Sequence, residues 1–228
     1  MQAERYLVIA SQSIAWLFGQ LLKVRFAVDV HYPARLFEAG PLRCLILAPT
    51  HQSLLDPWLI MSALHYRQFR LLIPLRILAT QTFHAPLSWF TPLIRILYRI
   101  EGAVELPPKG EPDSLPTKVQ PLLNALREGE VVAIFPEGEL WKRRDPPIGE
   151  FAPGVVYLQR ESGADIVPVA VWTSERGLRR RQYVIEFGSP VRIPEQLDLD
   201  AGAAWLRQRT LELYEVARRR GLRSVSIG

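Results

Sequence analysis

Cysteine is almost missing. Cys44 is the single example in 228 residues, which excludes an internal disulfide and any cysteine cage for a metal, and suits a reducing compartment. Lysine is nearly as scarce, so the net charge of +5 rests almost wholly on arginine. A basic surface fits anionic lipid, nucleic acid or phosphorylated substrates equally well. Two arginine clusters, Arg176/Arg179/Arg180/Arg181 and Arg218/Arg219/Arg220/Arg223, read as solvated surface and as charge at a helix C-terminus. No recognition-helix signature or aromatic RNA platform accompanies the charge, so no nucleic-acid partner is expected.

An uninterrupted apolar run of about 20 residues is also lacking. The best stretch, 6–22, is broken by Gln12 and Gln20 and flanked by Arg5 and Lys23. It falls short of a spanning helix, and no small-residue cleavage site follows it, which argues against a removed signal peptide. Trp16, Phe18 and the flanking cations suit an amphiphilic helix lying in one leaflet. The expected organisation is an N-terminal membrane-associating helix over 1–30 and an α/β domain over 31–228.

What is present is an ordinary globular balance, 48% hydrophobic and 22% charged residues, with no repeat and no low-complexity segment. Strand-like and helix-like stretches alternate, which predicts an α/β layered fold. Strands are expected at 26–30, 43–48, 69–73, 102–106, 131–135, 166–172 and 183–187. Helices are expected at 4–25, 57–65, through the apolar stretch 75–99, and at 114–127, 154–161 and 201–220. Gly221 ends the last of these, with arginines in its final turn. The proline-rich PPKGEPDSLP is a loop.

Two strand ends stand out. RCLILAPTHQSLLDP places His51 and Asp56 just past one strand, and VVAIFPEGE places Glu137 just past another. In open α/β sheets the reactive crevice lies outside the carboxyl ends of the strands, so these groups meet if the two strands are parallel neighbours. Five residues apart on one straight helix, His51 and Asp56 would point about 140° away from each other, so contact requires His51 in the turn before the helix. Ser53 with Asp56 forms a possible capping pair, and Asp56 with Pro57 a possible N-cap and first-turn proline. Either assignment leaves His51 outside the regular helix. Asp56 then holds one imidazole nitrogen and frees the other as a general base. Such a pair is also what an ordinary helix cap beside a surface histidine looks like. His31, His65 and His84 show no metal-ligand spacing. Trp58, Trp89, Phe90 and Trp141 read as the lining of an apolar groove or simply as core.

THQSLLDP, FPEGE, VPVAV and the connecting FAPGVVYLQRESGADIVPV together resemble the ordered motif set of the glycerolipid acyltransferases, the group that includes lysophosphatidic acid acyltransferases. The likeness covers roughly residues 40–175. It implies a mixed, largely parallel central sheet flanked by helices, with His51 as base and Asp56 as its orienting partner. It further implies that Glu137 and Gly138 help to place the acceptor. The donor would be acyl-CoA or acyl carrier protein, with no metal or organic cofactor, and the acceptor a lipid such as 1-acylglycerol-3-phosphate. The site would be at the cytoplasmic face of a membrane. A backbone N–H near the helix start would hold the oxyanion. Two departures bear on the acceptor. The family pattern continues with Thr or Ser and then a phosphate-gripping Arg where this chain has Glu139 and Leu140, and Pro107 falls where another Arg is expected. Lys142, Arg143 and Arg144 lie close enough to replace the lost cations. Otherwise the acceptor lacks a phosphate and Glu139 recognises an amine or hydroxyl, or the fold binds lipid without turnover.

Overall fold

The structure is a computed structural model that describes residues 2–38, 42–53, 55–79, 96, 99–105, 115–141, 145–174 and 181–225. Its centre is β2, Leu45–Pro49, in which every residue is buried. A strand covered on both faces needs apolar side chains at consecutive positions, and LILAP supplies them. Leu45 and Leu47 point into one hydrophobic layer and Ile46 and Ala48 into the other.

Around it lie β1 (Phe26–His31), β3 (Leu75–Ala79), β4 (Ala103–Glu105), β5 (Val131–Ala133), β6 (Asp165–Thr173) and β7 (Arg181–Phe187). The sheet order is β1-β7-β6-β2-β5-β3-β4. From β6 to β4 the strands are parallel, β7 runs antiparallel to β6, and β1 is parallel to β7. The sheet is therefore mixed and largely parallel. Helices α2 (Asp56–Ala63) and α3 (Tyr66–Leu72) contribute to the layer on one face. On the other face lie α4 (Leu115–Arg127), α5 (Gly154–Ser162) and α6 (Leu199–Val225). Because β2 and β5 are parallel neighbours with Leu45 opposite Val131, the residues that follow both strands emerge at one edge.

Several expectations give way here. Residues 66–72 form a helix, not a strand at 69–73: Phe69 and Leu72 are buried at helical spacing while Arg67 and Arg70 face water. The stretch expected to be helical from 75 begins instead as strand β3, held between β5 and β4. Trp89, Phe90 and His84 lie outside the described residues, as do Pro107 and Arg176, Arg179 and Arg180. α6 runs straight through Gly221. A Cβ there would lie 2.1 Å from Cζ3 of Trp172, so the missing side chain lets the helix cross the sheet closely and does not end it.

Helix α1 (Gln2–Arg25) is long and apolar enough, over Glu4–Arg25, to cross a membrane. The expected run falls short because Gln12 and Gln20 interrupt it in the sequence, whereas in the structure the helix continues through both. Both face the protein. The Gln12 amide donates to the carbonyls of Leu75 and Glu101 at 2.6 and 2.8 Å and accepts from the Leu75 N–H at 3.1 Å. Gln20 donates to the Ser62 carbonyl and the Trp16 indole to that of Leu64. The apolar side, Tyr6, Leu7, Ile14, Leu17, Phe18, Leu21 and Val24, is more than half exposed. Residues 26–30, grouped by the expected boundary with the N-terminal segment, pair with β7 in the sheet, so α1 ends where the sheet begins.

Candidate active site

The chain leaves β2 through Thr50, whose N–H donates to Val169 O and whose Oγ1 accepts from the Val171 N–H. These bonds fasten the turn to β6. His51 follows, outside α2. Its imidazole Nδ1 faces Asp56 Oδ2 at 3.4 Å, and its side chain keeps 17% exposure. The two residues expected to meet do meet.

The carboxylate does more than face the ring. Asp56, fully buried, is the first residue of α2, with Pro57 behind it in the first turn. Its Oδ2 accepts the N–H groups of Gln52 at 2.6 Å and Ser53 at 2.7 Å. Ser53 Oγ accepts the N–H of Leu55, the residue that precedes the helix. The Ser53–Asp56 capping pair forms by one limb: Asp56 reaches back to the Ser53 N–H and closes the turn that carries His51, while Ser53 Oγ stops at the Leu55 N–H. Pro57 lies in the first turn as expected, with Leu55 in place of Asp56 as the N-cap. Two amides near the helix start are thereby spent on this carboxylate, and the Asp56 and Leu55 amides are also bonded, to Ser53. The expected oxyanion donor is thus not among these four amides. Oδ1 of Asp56 is buried and has no hydrogen-bond partner among the described residues.

Glu137 arrives from β5 through Phe135 and Pro136. In the turn that follows, Gly138 adopts φ 68°, and its N–H closes back on the Phe135 carbonyl. The Glu137 carboxylate sits between two backbone amides. Oε2 accepts the His51 N–H at 2.7 Å and Oε1 the Gly149 N–H at 3.0 Å. Burial outweighs these two bonds and pushes its pKa up to about 7. Gly138 and Glu139 are exposed beside it, and Lys142, Arg143 and Arg144 lie outside the described residues.

His51 is therefore held on both sides by carboxylates, Glu137 on the peptide before it and Asp56 on the peptide after it. Its own carbonyl accepts the Trp141 N–H at 2.7 Å. The Phe135 ring lies against the imidazole, centroids 4.2 Å apart and tilted by 32°, and limits where it can swing. Tyr183, buried on β7, hydrogen-bonds the Ser53 side chain, and burial pushes its phenol pKa up.

Sequence reasoning missed Phe135, Tyr183 and Gly149. Phe135 is the first letter of FPEGE, so its proximity was available from the strand end; nothing in the spacing pointed to Tyr183 or Gly149. Trp58 and Trp141 are half-buried, and their indoles bond to Glu101 and to the Pro146 carbonyl respectively. Among the described residues no three His, Cys, Asp or Glu side chains gather as a metal site.

A family model described as Acyltransferase matches residues 28–172, which span β1 to β6 and include every group above except Tyr183. Among solved structures, the 1-acyl-sn-glycerophosphate (LPA) acyltransferase PlsC from Thermotoga maritima has a similar fold. It is 15% identical, with a TM-score of 0.62 over 94% of this chain and 81% of that one. No curated protein matches the sequence.

Proposed function

Because the chain belongs to the acyltransferase family, we propose that it moves a fatty acyl group from acyl-CoA or acyl carrier protein to a hydroxyl or amine of a lipid acceptor. The observation that carries this reading is the His51 imidazole, with Nδ1 toward a buried carboxylate and partly open to solvent. Asp56 keeps the proton on Nδ1 and leaves Nε2 as the base. The acceptor hydroxyl gives its proton to Nε2 while its oxygen attacks the thioester carbonyl. The tetrahedral intermediate then collapses, the C–S bond breaks, and the imidazolium returns the proton to the leaving thiolate. Acyl ester and free thiol are the products, and no other reagent is needed.

The outward apolar face of α1 supports action at a membrane. Bedding seven large apolar side chains into one leaflet is favourable by about 1.5–3 kcal/mol for each that is fully covered, and the polar face stays on the protein. We place the site at the cytoplasmic face, where acyl-CoA and acyl carrier protein are found. Glu139, exposed where the family pattern has Thr or Ser, favours an acceptor recognised through an amine or hydroxyl over one gripped by phosphate.

The test is thiol release from acyl-CoA and acyl carrier protein donors against phosphorylated and unphosphorylated lysolipids, alcohols and amines. At least one acceptor should support turnover, and His51→Ala should abolish it. An active His51→Ala enzyme would rule out the base assignment. Lipid binding with no transfer to any acceptor would leave a lipid-binding protein of the same fold.

A further inference from the structure

The loop 145–152 carries Gly149, and three of its bonds reach the His51 turn and the FPEGE strand end. Gln52 donates to Pro147 O, the Ala152 N–H to Pro136 O, and the Gly149 N–H to Glu137. The loop is gripped from behind by Arg207 of α6. Arg207 Nε donates to Gly149 O at 2.8 Å and Nη2 to Ile148 O at 3.0 Å. The 148–149 peptide is thus held at both ends: its oxygen faces a guanidinium and its N–H faces a carboxylate. Cation, peptide dipole and anion line up, so each hydrogen bond polarises the next. The far end of that carboxylate is the His51 amide.

Trp141 closes the same ring from the other side. Its N–H holds the His51 carbonyl, and its indole lies so near Gly149 that a Cβ there would be 2.8 Å from Cε3. Everything that fixes Gly149 therefore bears on both peptide groups flanking the imidazole. The Arg207 side chain is 19% exposed, whereas its ion-pair partner Glu150, at 3.6 Å, is 85% exposed. An exposed partner of that kind adds little.

We propose that Arg207 is a positioning residue for His51, acting through the 148–149 peptide and Glu137. The inference rests on the reading of His51 as the base, and its test includes a readout that does not need turnover. Amide hydrogen exchange at His51 and Gly149 should become about tenfold faster in Arg207→Ala, the loss of roughly one hydrogen bond. The rate of thiol release should fall in kcat with KM unchanged, and Arg207→Lys should recover part of both. Glu150→Gln should change neither. In the Glu137→Gln background the Arg207→Ala change should add almost nothing, because the link is already cut.

Unchanged exchange at His51 in Arg207→Ala overturns the proposal, and so do fully additive effects in the double variant. If Arg207→Ala lowers the global unfolding midpoint, the Lys variant decides: recovery of His51 protection supports the relay, and failure to recover it overturns it. A wild-type protein that transfers no acyl group refutes the proposed function separately, while the exchange data still decide the linkage.

Discussion

Glu137 offers the sharpest quantitative test. In the folded protein burial holds its pKa at about 7, against an ordinary value of 4.5. The folded state therefore binds this proton more tightly than the unfolded chain does. Protonation favours folding, so the contribution of this group is greatest below about 4.5 and is lost as pH rises to about 7. Above that it changes no further. A shift of this size corresponds to roughly 3 kcal/mol of stability lost across the window. The ionised carboxylate is the stronger acceptor for the His51 and Gly149 amides, so the form that costs stability is the one that holds the site more firmly. Glu137→Gln removes the titration. Its single carbonyl oxygen can accept one amide, while its NH2 confronts the other donor, at a cost of about 1–3 kcal/mol. Urea unfolding of both proteins at a series of pH values between 4.5 and 8 measures the difference. The wild type should lose stability relative to the variant across that range, and the gap should level off above about 7. Parallel curves would show that Glu137 titrates normally and that the burial argument is mistaken.

The other predictions concern the turn and the first helix. Asp56→Ala leaves the Gln52 and Ser53 amides without their acceptor and should cost about 1–3 kcal/mol for each orphaned group. Asp56→Asn keeps a carbonyl oxygen for them, so it should melt close to wild type yet lose most thiol release; equal losses of stability in the two variants would contradict the role of Oδ2. Gln12→Leu looks harmless in an apolar helix, but it strands the N–H and carbonyl of Leu75 and the carbonyl of Glu101. It should lower the thermal midpoint sharply, whereas Phe18→Ser, on the exposed face, should leave the midpoint alone and reduce flotation with anionic vesicles.

How much of this was legible in the sequence follows from how local each signal is. RCLILA and VVAIF are buried on both faces, so their composition announces central strands, and chemistry beyond a strand end follows from topology. The turn geometry that frees His51 from α2 could be read from five residues. The Glu137 contacts were not legible, because spacing gives a neighbourhood and not which hydrogen atoms a carboxylate will find. Residues 66–72 were misread because a short apolar run such as FRLLI suits either period, and only the burial of Phe69 and Leu72 separates them. Gly221 was misread because a glycine after a helical run signals an end unless something large, here Trp172, needs the room.

The inward-facing amides of α1 bear on how such a protein is handled. Deleting the first 25 residues to gain solubility would uncover Leu75 at the start of β3 and the Glu101 carbonyl just before β4, leaving that margin of the sheet without its polar partners. Solubility is better sought by recolouring the outer stripe, Leu7, Ile14, Leu17 and Leu21, with hydrophilic residues. That treatment leaves every internal bond of the helix to the domain in place.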